Sequence, residues 1–344
     1  MRAGLVGLAG LYWPIALGRA LHEHPGVQFV AAATLGIADQ VIQEMLGLTP
    51  AEYAARFGLQ LYADAEEMVR DARLDTVVIV TRHSEHAPWA ERMAALGMDI
   101  FIPKTFATTL DDAQRIVAAE QRHGVRIAVG PSARFLPPML AVKQALDAGR
   151  IGRPFSMRLC HHHGVIDVFH PHDWYRDPQE GGPELSLGWY GIDLVLHLMQ
   201  DTIQSVYAQY GNFTSPDSPF MDCGRIEMRL MGGGLAAFDM YFCNRVAYPS
   251  WQLEIVGPGG VISVHRAAAD ATSVAVGLNG AQGYTPLALP AATPGWESFW
   301  IDDFLQGRAP ALSAATAALI TQVSLAARQS AASGAPVTLE PNGP

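Results

Sequence analysis

The feature that most constrains this chain is an alternation. Short apolar runs rich in Val, Ile and Ala recur at 2–7, 27–34, 61–62, 76–80, 100–102 and 126–129. Between them lie segments with helical periodicity, at 14–24, 38–45, 51–57, 65–72, 86–96 and 110–123. Strands that are apolar on both faces must be covered on both faces. Strands separated by helices can all run the same way. The first third of the chain therefore predicts a doubly wound parallel sheet, the pattern of a nucleotide-binding domain, over residues 1–131.

The carboxyl edge of such a sheet is where ligands bind. Three loops reach that edge. The first, Gly7-Leu8-Ala9-Gly10-Leu11-Tyr12-Trp13-Pro14, occupies the turn where a dinucleotide pyrophosphate would meet helix N-terminal amides. It departs from G-x-G-x-x-G twice, with Ala9 and Tyr12 in the places of the second and third glycines. Tyr12 obstructs a close approach unless the helix starts later, toward Pro14, a favoured first helical residue. An ordinary Gly-rich turn is the competing reading. Gly7, Leu8, Ala9 and Leu11 are the candidate cofactor contacts here. The second strand ends at Thr34, where an acid would hold the adenosine ribose. A charged hydrogen bond contributes about 1.5–3 kcal/mol, so its absence weakens NAD binding roughly 10–100-fold. No arginine follows to greet a 2′-phosphate, which leaves NAD and NADP both open, with NAD preferred. The third loop, after 76–80, carries Thr81, His83 and His86. These suit ribose, phosphate and nicotinamide contacts, or equally a polar loop with a helix cap at Ser84.

The fifth strand leads into Pro103-Lys104-Thr105. Proline has no N–H for the ladder, so the strand is expected to stop there. Lys104 follows at the carboxyl edge between apolar neighbours, placed to meet a substrate.

From about residue 154 the period changes. Runs at 155–163, 206–214, 225–230, 234–242, 251–256 and 261–264 read as strands separated by Gly, Pro, Asp and Ser turns. With little helix between them they predict a large, mainly antiparallel sheet in a second domain, 132–344. Residues 296–305 and 311–332 read as helices, the last packing back on the sheet or the first domain. Residues 185–199 also read as helix. On it Ser186, Tyr190, Asp193 and His197 share one face, a polar stripe on an otherwise apolar element.

The whole pattern resembles the glucose–fructose oxidoreductase, inositol dehydrogenase and MocA family. The resemblance rests on the degenerate Gly-rich turn, on T-x-x-x-x-H from Thr81 to His86, and on a lysine after the fifth strand. Downstream it continues through Arg134-Phe135 and Pro137, the stretch Gly181 to Asp193, Glu254-Ile255-Val256-Gly257 with Gly259-Gly260, and Ser330 to Leu339. Where the family carries Glu-Lys-Pro, only Lys104 is kept. Its aspartate and histidine positions hold Ser186 and Tyr190. The resemblance implies a Rossmann domain followed by an open-sheet α+β domain used for substrate binding or oligomerisation. It implies an NAD(P)-dependent dehydrogenase acting on a sugar, cyclitol or related polyol. It also makes Tyr190 the proton donor and acceptor, with Lys104 beside it. An unperturbed phenol has a pKa of about 10, and a nearby ammonium lowers it by roughly 1–3 units. Two further readings stay open: a redox-neutral enzyme that retains its NAD, and a non-catalytic NAD(P) sensor.

The stretch from His161 to Asp177 is rich in imidazole. Its spacing matches no tight ligand motif, so no metal is expected. A sugar site fits better, with the ring face of Trp174 and hydrogen bonds from His172, Arg176, Asp193 and His197.

A formal net charge of −10 argues against nucleic-acid or anionic-membrane partners. No apolar run approaches a membrane span. Three widely spaced cysteines suit a reducing compartment. The expectation is a cytoplasmic homodimer or homotetramer.

Overall fold

The computed structural model describes residues 1–163, 176–216, 218–243, 250–268, 271–291, 295 and 298–339. The chain divides into two compact units, Met1–Pro131 with Pro294–Thr321, and Ser132–Thr293 with Gln322–Pro344.

The first unit is the alternating one. It runs β1 (Arg2–Val6), α1 (Trp13–Glu23), β2 (Gln28–Ala33), α2 (Asp39–Leu46), α3 (Pro50–Phe57), β3 (Gln60–Tyr62) and α4 (Ala65–Ala72). It continues through β4 (Thr76–Ile79), α5 (His86–Ala95), β5 (Asp99–Pro103), α6 (Leu110–His123) and β6 (Ile127–Gly130). The strands form one parallel sheet in the order β3-β2-β1-β4-β5-β6. Every residue of β4 and β6 is buried, as strands covered on both faces require. Local chemistry sets the helix ends. The Thr109 hydroxyl accepts the Asp112 N–H at 3.1 Å to open α6, and Gly124 closes it at φ 65°. β5 reaches one residue further than the proline suggests. Pro103 pairs with Gly130, and the Lys104 N–H donates to the Gly130 carbonyl at 2.6 Å. Proline loses only its own donor, and the next residue supplies one.

The second unit holds α7 (Pro137–Asp147), β7 (Ser156–His162), α8 (Gly182–Ser186), α9 (Gly188–Met199), β8 (Ile203–Gly211), β9 (Cys223–Leu230) and β10 (Leu235–Tyr241). Then come β11 (Ser250–Gly257), β12 (Gly260–Ala268), β13 (Ala271–Leu278) and β14 (Tyr284–Pro286). The chain ends with α10 (Phe299–Leu305), α11 (Ala314–Ser333) and β15 (Val337–Thr338). Nine strands form a sheet ordered β14-β13-β12-β11-β7-β10-β9-β8-β15. Its neighbours are antiparallel except β7 and β10, which run together. Met157, Leu159 and His161 of β7 are buried on the face that α9 covers, while Arg158 points away and is exposed.

Four elements have no counterpart in the sequence reading: α7, β13, β14 and β15. Residues 294–321, which that reading leaves with the second domain, pack with the first unit. Trp300 of α10 stacks on Phe101 of β5, with ring centroids 4.6 Å apart and planes 20° apart. The Val129 N–H donates to the Leu312 carbonyl at 3.0 Å, adding a partner beside β6. α11 is shared, counted with the first unit through Thr321 and with the second from Gln322.

Candidate active site

In the first unit the turn between β1 and α1 presses against the end of β4. Gly7 lies at φ +95°, and a Cβ there would sit 2.9 Å from the Val80 carbonyl oxygen. At Gly10 the same atom would sit 2.5 Å away, closer than any side chain tolerates. Gly10 therefore makes the close approach. Tyr12 does not obstruct it: it is the N-cap of α1, which starts at Trp13 with Pro14 in its first turn, and its side chain is 51% exposed. Leu8, Ala9 and Leu11 are buried in this turn. At the end of β2 the Thr34 N–H and hydroxyl both donate to the Tyr62 carbonyl, at 2.9 and 3.3 Å, so the neighbouring strand takes the hydroxyl.

Thr81 and His83 are buried just beyond β4, the Thr81 hydroxyl donating to the Arg82 carbonyl at 3.2 Å. His86 is wholly buried. Its Nδ1 lies 3.1 Å from the Phe106 carbonyl oxygen, and burial pulls its pKa down to about 4. The imidazole thus braces the backbone that follows Lys104. Lys104 is only 3% exposed. Its Nζ stands 5.5 Å from the centroid of the Trp13 ring, and burial lowers its pKa to about 7. The peptide bond from Lys104 to Thr105 is cis.

A nicotinamide dinucleotide fits these residues. Gly7 and Gly10 let the turn lie against the Val80 backbone at the carboxyl edge of the sheet, where a pyrophosphate would meet the amides that open α1. Beside Lys104 two buried polar atoms, His86 Nε2 and Thr105 Oγ1, find no hydrogen-bond partner among the described residues. Unsatisfied buried polar atoms mark a place where a polar ligand group belongs.

In the second unit the polar stripe is divided. α8 ends at Ser186, Leu187 intervenes at φ −105°, and α9 begins at Gly188. Ser186 is buried on α8, while Tyr190, Asp193 and His197 follow on α9. The Leu187 N–H donates to the Pro183 carbonyl at 2.6 Å and the Tyr190 N–H to the Leu187 carbonyl three residues back at 3.3 Å, so the break is a tightened turn and not a gap. The Tyr190 ring is buried and meets two other rings edge-on, His161 at 6.0 Å and Trp251 at 6.2 Å. Those two stack flat at 3.7 Å, because the register of β7 with β11 sets them opposite each other.

Asp193 is wholly buried. Its carboxylate accepts from Arg134 Nη2, from Arg134 Nε at 3.1 Å and from the Ser132 hydroxyl. The sequence reading gave Asp193 to a substrate, but here its oxygens are taken by a fork from Arg134. His197, one turn on, is half-buried, and burial together with the Arg134 charge brings its pKa down to about 4. It is a neutral imidazole at pH 7. Arg176 is half-buried, and His172 and Trp174 lie outside the described residues. Ser132, Arg134 and Trp251 were not singled out as site residues by the sequence. Arg134 is 59 residues from its partner, and no local spacing signals such a pair. Among the described residues no three His, Cys, Asp or Glu side chains are placed to hold a metal ion, and no helix is long and apolar enough to cross a membrane.

Comparison with known proteins decides the family. Residues 1–131 match the model of the oxidoreductase family with an NAD-binding Rossmann fold, and 139–263 match the GFO/IDH/MocA C-terminal domain. The chain belongs to the GFO/IDH/MocA oxidoreductase family. It is 26% identical over 265 residues to an inositol 2-dehydrogenase of Rubrobacter xylanophilus, covering 76% of this chain and 70% of that protein. A D-apiose dehydrogenase of Paraburkholderia graminis is 40% identical over 114 residues, which span 33% of this chain and 30% of that protein. In fold, an oxidoreductase from Agrobacterium radiobacter, solved with NAD+, L-tartaric acid and magnesium, superposes with a TM-score of 0.80 at 22% identity over 98% of both chains. Membership in the GFO/IDH/MocA family fits the two sheets described above: a parallel NAD-binding sheet and a mixed, mostly antiparallel one.

Proposed function

We propose that this chain transfers a hydride between a nicotinamide dinucleotide and a secondary carbinol of a sugar, cyclitol or related polyol. The observation that carries this reading is the burial of Lys104 at the carboxyl edge of the parallel sheet, with its pKa near 7. A lysine so placed is close to half protonated at neutral pH. It can both hold charge on an oxygen and exchange a proton with it.

The first unit holds the cofactor through the Gly7–Leu11 turn, Thr81, His83 and the polar atoms beside Lys104. NAD is favoured over NADP because no arginine follows Thr34. Bound nicotinamide supplies the hydride acceptor or donor. Tyr190 moves the carbinol proton at its phenol oxygen, and Lys104 Nζ donates to the carbinol oxygen and offsets the charge that develops there. Asp193 acts as a positioning residue: clamped by Arg134 and Ser132, it fixes the pitch of α9 and so the direction of Tyr190. The His161–Trp251 stack offers a flat wall suited to the C–H face of a sugar ring, and Arg176, His172 and Trp174 complete the substrate set. Homologues named for inositol and D-apiose support a polyol or sugar as substrate. Sparse cysteines support a cytoplasmic setting, and we take the protein to be a homodimer or homotetramer.

A screen of sugars and cyclitols with NAD+ and NADP+, followed at the nicotinamide absorbance and by product analysis, tests this reading. A substrate that yields product with matching reduction of the cofactor supports it. Product without an absorbance change assigns the chain to redox-neutral chemistry instead.

A further inference from the structure

Two of the three cysteines meet in the second unit. Cys223 opens β9 and pairs across the ladder with Tyr241, the last residue of β10. Cys243 follows two positions later. The Phe242 N–H donates to the Asp222 carbonyl at 2.8 Å, which carries the pairing one step past the strand ends. The two Sγ atoms are left 3.2 Å apart, and both residues are partly exposed. The third thiol, Cys160, instead lies 3.2 Å from His162 Nε2. A shared metal does not explain the pair, since no third ligand of the described residues joins it.

We propose that Cys223 and Cys243 are a reversible redox pair, closing to a disulfide by exchange with a low-molecular-weight disulfide such as oxidised glutathione. An S–S bond is about 2.05 Å, so the sulfurs approach by roughly 1.1 Å, a movement that side-chain torsions supply. One cysteine, as thiolate, attacks a sulfur of oxidised glutathione. The S–S bond of glutathione breaks, and the departing thiolate takes up the proton that the cysteine lost. The second cysteine then attacks the protein sulfur of the mixed disulfide and releases a second glutathione. Two protein thiols are oxidised and one small disulfide is reduced to two thiols.

The bond bears on the wall beside Tyr190. Phe242 lies between Tyr241 and Cys243, its ring 6.2 Å from that of His163, which in turn is 5.4 Å from His161. Closure fastens the ends of β9 and β10 behind that row of rings. Burial and the neighbouring thiol raise the Cys223 pKa, so the exchange is slow at neutral pH and quickens as pH rises.

The experiment uses the full-length protein incubated with oxidised glutathione at mildly alkaline pH, quenched with acid, and analysed by intact mass and peptide mapping. The expected result is loss of two hydrogen atoms, one alkylatable thiol out of three in denaturant, a linked Cys223–Cys243 peptide, and full reversal by dithiothreitol. Cys243→Ser should instead retain one glutathione on Cys223, for want of a resolving thiol. Three alkylatable thiols after prolonged incubation, a lasting glutathione adduct on the unmutated protein, or a linkage through Cys160 would each overturn the proposal.

Discussion

Each unit buries a basic side chain, and the two are treated differently. Arg134 in the second unit meets the Asp193 carboxylate with two nitrogens, and the Ser132 hydroxyl completes the set. Lys104 in the first unit lies over the Trp13 ring, and burial drags its pKa to about 7. A buried ion pair with its hydrogen bonds made is fixed in charge and position. A buried amine near its titration point is fixed in position but free in charge. The first arrangement suits a brace, the second a reagent.

Exchanging the charged groups separates these roles, and the largest effects are expected on turnover. Lys104→Met and Tyr190→Phe should each lower kcat roughly 10²–10⁴-fold on the physiological substrate. Lys104→Met should also melt higher than the parent at pH 6 and little differently at pH 10. The penalty for burying an ammonium is fully present below the folded-state pKa of about 7, and fades as pH rises toward the ordinary lysine value of 10.5. Steady-state kinetics and thermal melts at the two pH values check this; near-normal kcat in either variant removes its assigned role.

The brace should behave in the opposite way. Asp193→Ala leaves Arg134 buried beside no carboxylate and should destabilise the fold by about 3–5 kcal/mol. Denaturant unfolding measures it. A loss in Asp193→Ala no larger than that in Lys104→Met would show the two basic groups to be equivalent.

A smaller effect is expected on binding. Thr34→Asp restores an acid at the end of β2 and should tighten NADH roughly 10–100-fold, from a parent affinity no better than micromolar. Fluorescence titration reads it, and a nanomolar parent would contradict it. A last effect is on the slope of stability as pH falls. His86 and His197 both have pKa values of about 4 in the folded chain against 6.5 for free imidazole. Above pH 6.5 neither state binds the proton. Between 6.5 and 4 the unfolded chain binds it and the folded chain does not. Stability should therefore fall by about 1.4 kcal/mol per pH unit for each histidine across that window. His86→Asn should flatten the slope.

The two units also differ in how much of them could be read in advance. Buried parallel strands such as Thr76–Ile79 are continuous apolar runs, and helices such as Leu110–His123 carry their own caps, so the first unit is written locally. Lys104 was legible for the same reason, as a charge at the end of such a run. The second unit depends on pairings between distant residues. Nothing near Tyr190 announces that Trp251 will lie against His161; that follows only from the register of β11 on β7. Nothing near Asp193 announces Arg134. His86 was recognisable as a polar residue at the sheet edge, but its partner is a backbone carbonyl 20 residues on, and a carbonyl has no sequence signature. The break at Leu187 was hidden because both flanks have helical composition.

The parallel pair β7 and β10 carries a last consequence. Two strands that run the same way cannot be joined by a hairpin, and the chain between these two contains α8, α9, β8 and β9. The middle of the nine-stranded sheet cannot zip shut from neighbour to neighbour along the chain. It closes only after the intervening polypeptide has been folded out of the way, so α9 and its tyrosine must be laid down before, or together with, the centre of the sheet. Non-local closure of this kind is slow. In refolding experiments the pairing of β7 with β10 should form late, no earlier than α9 and its tyrosine.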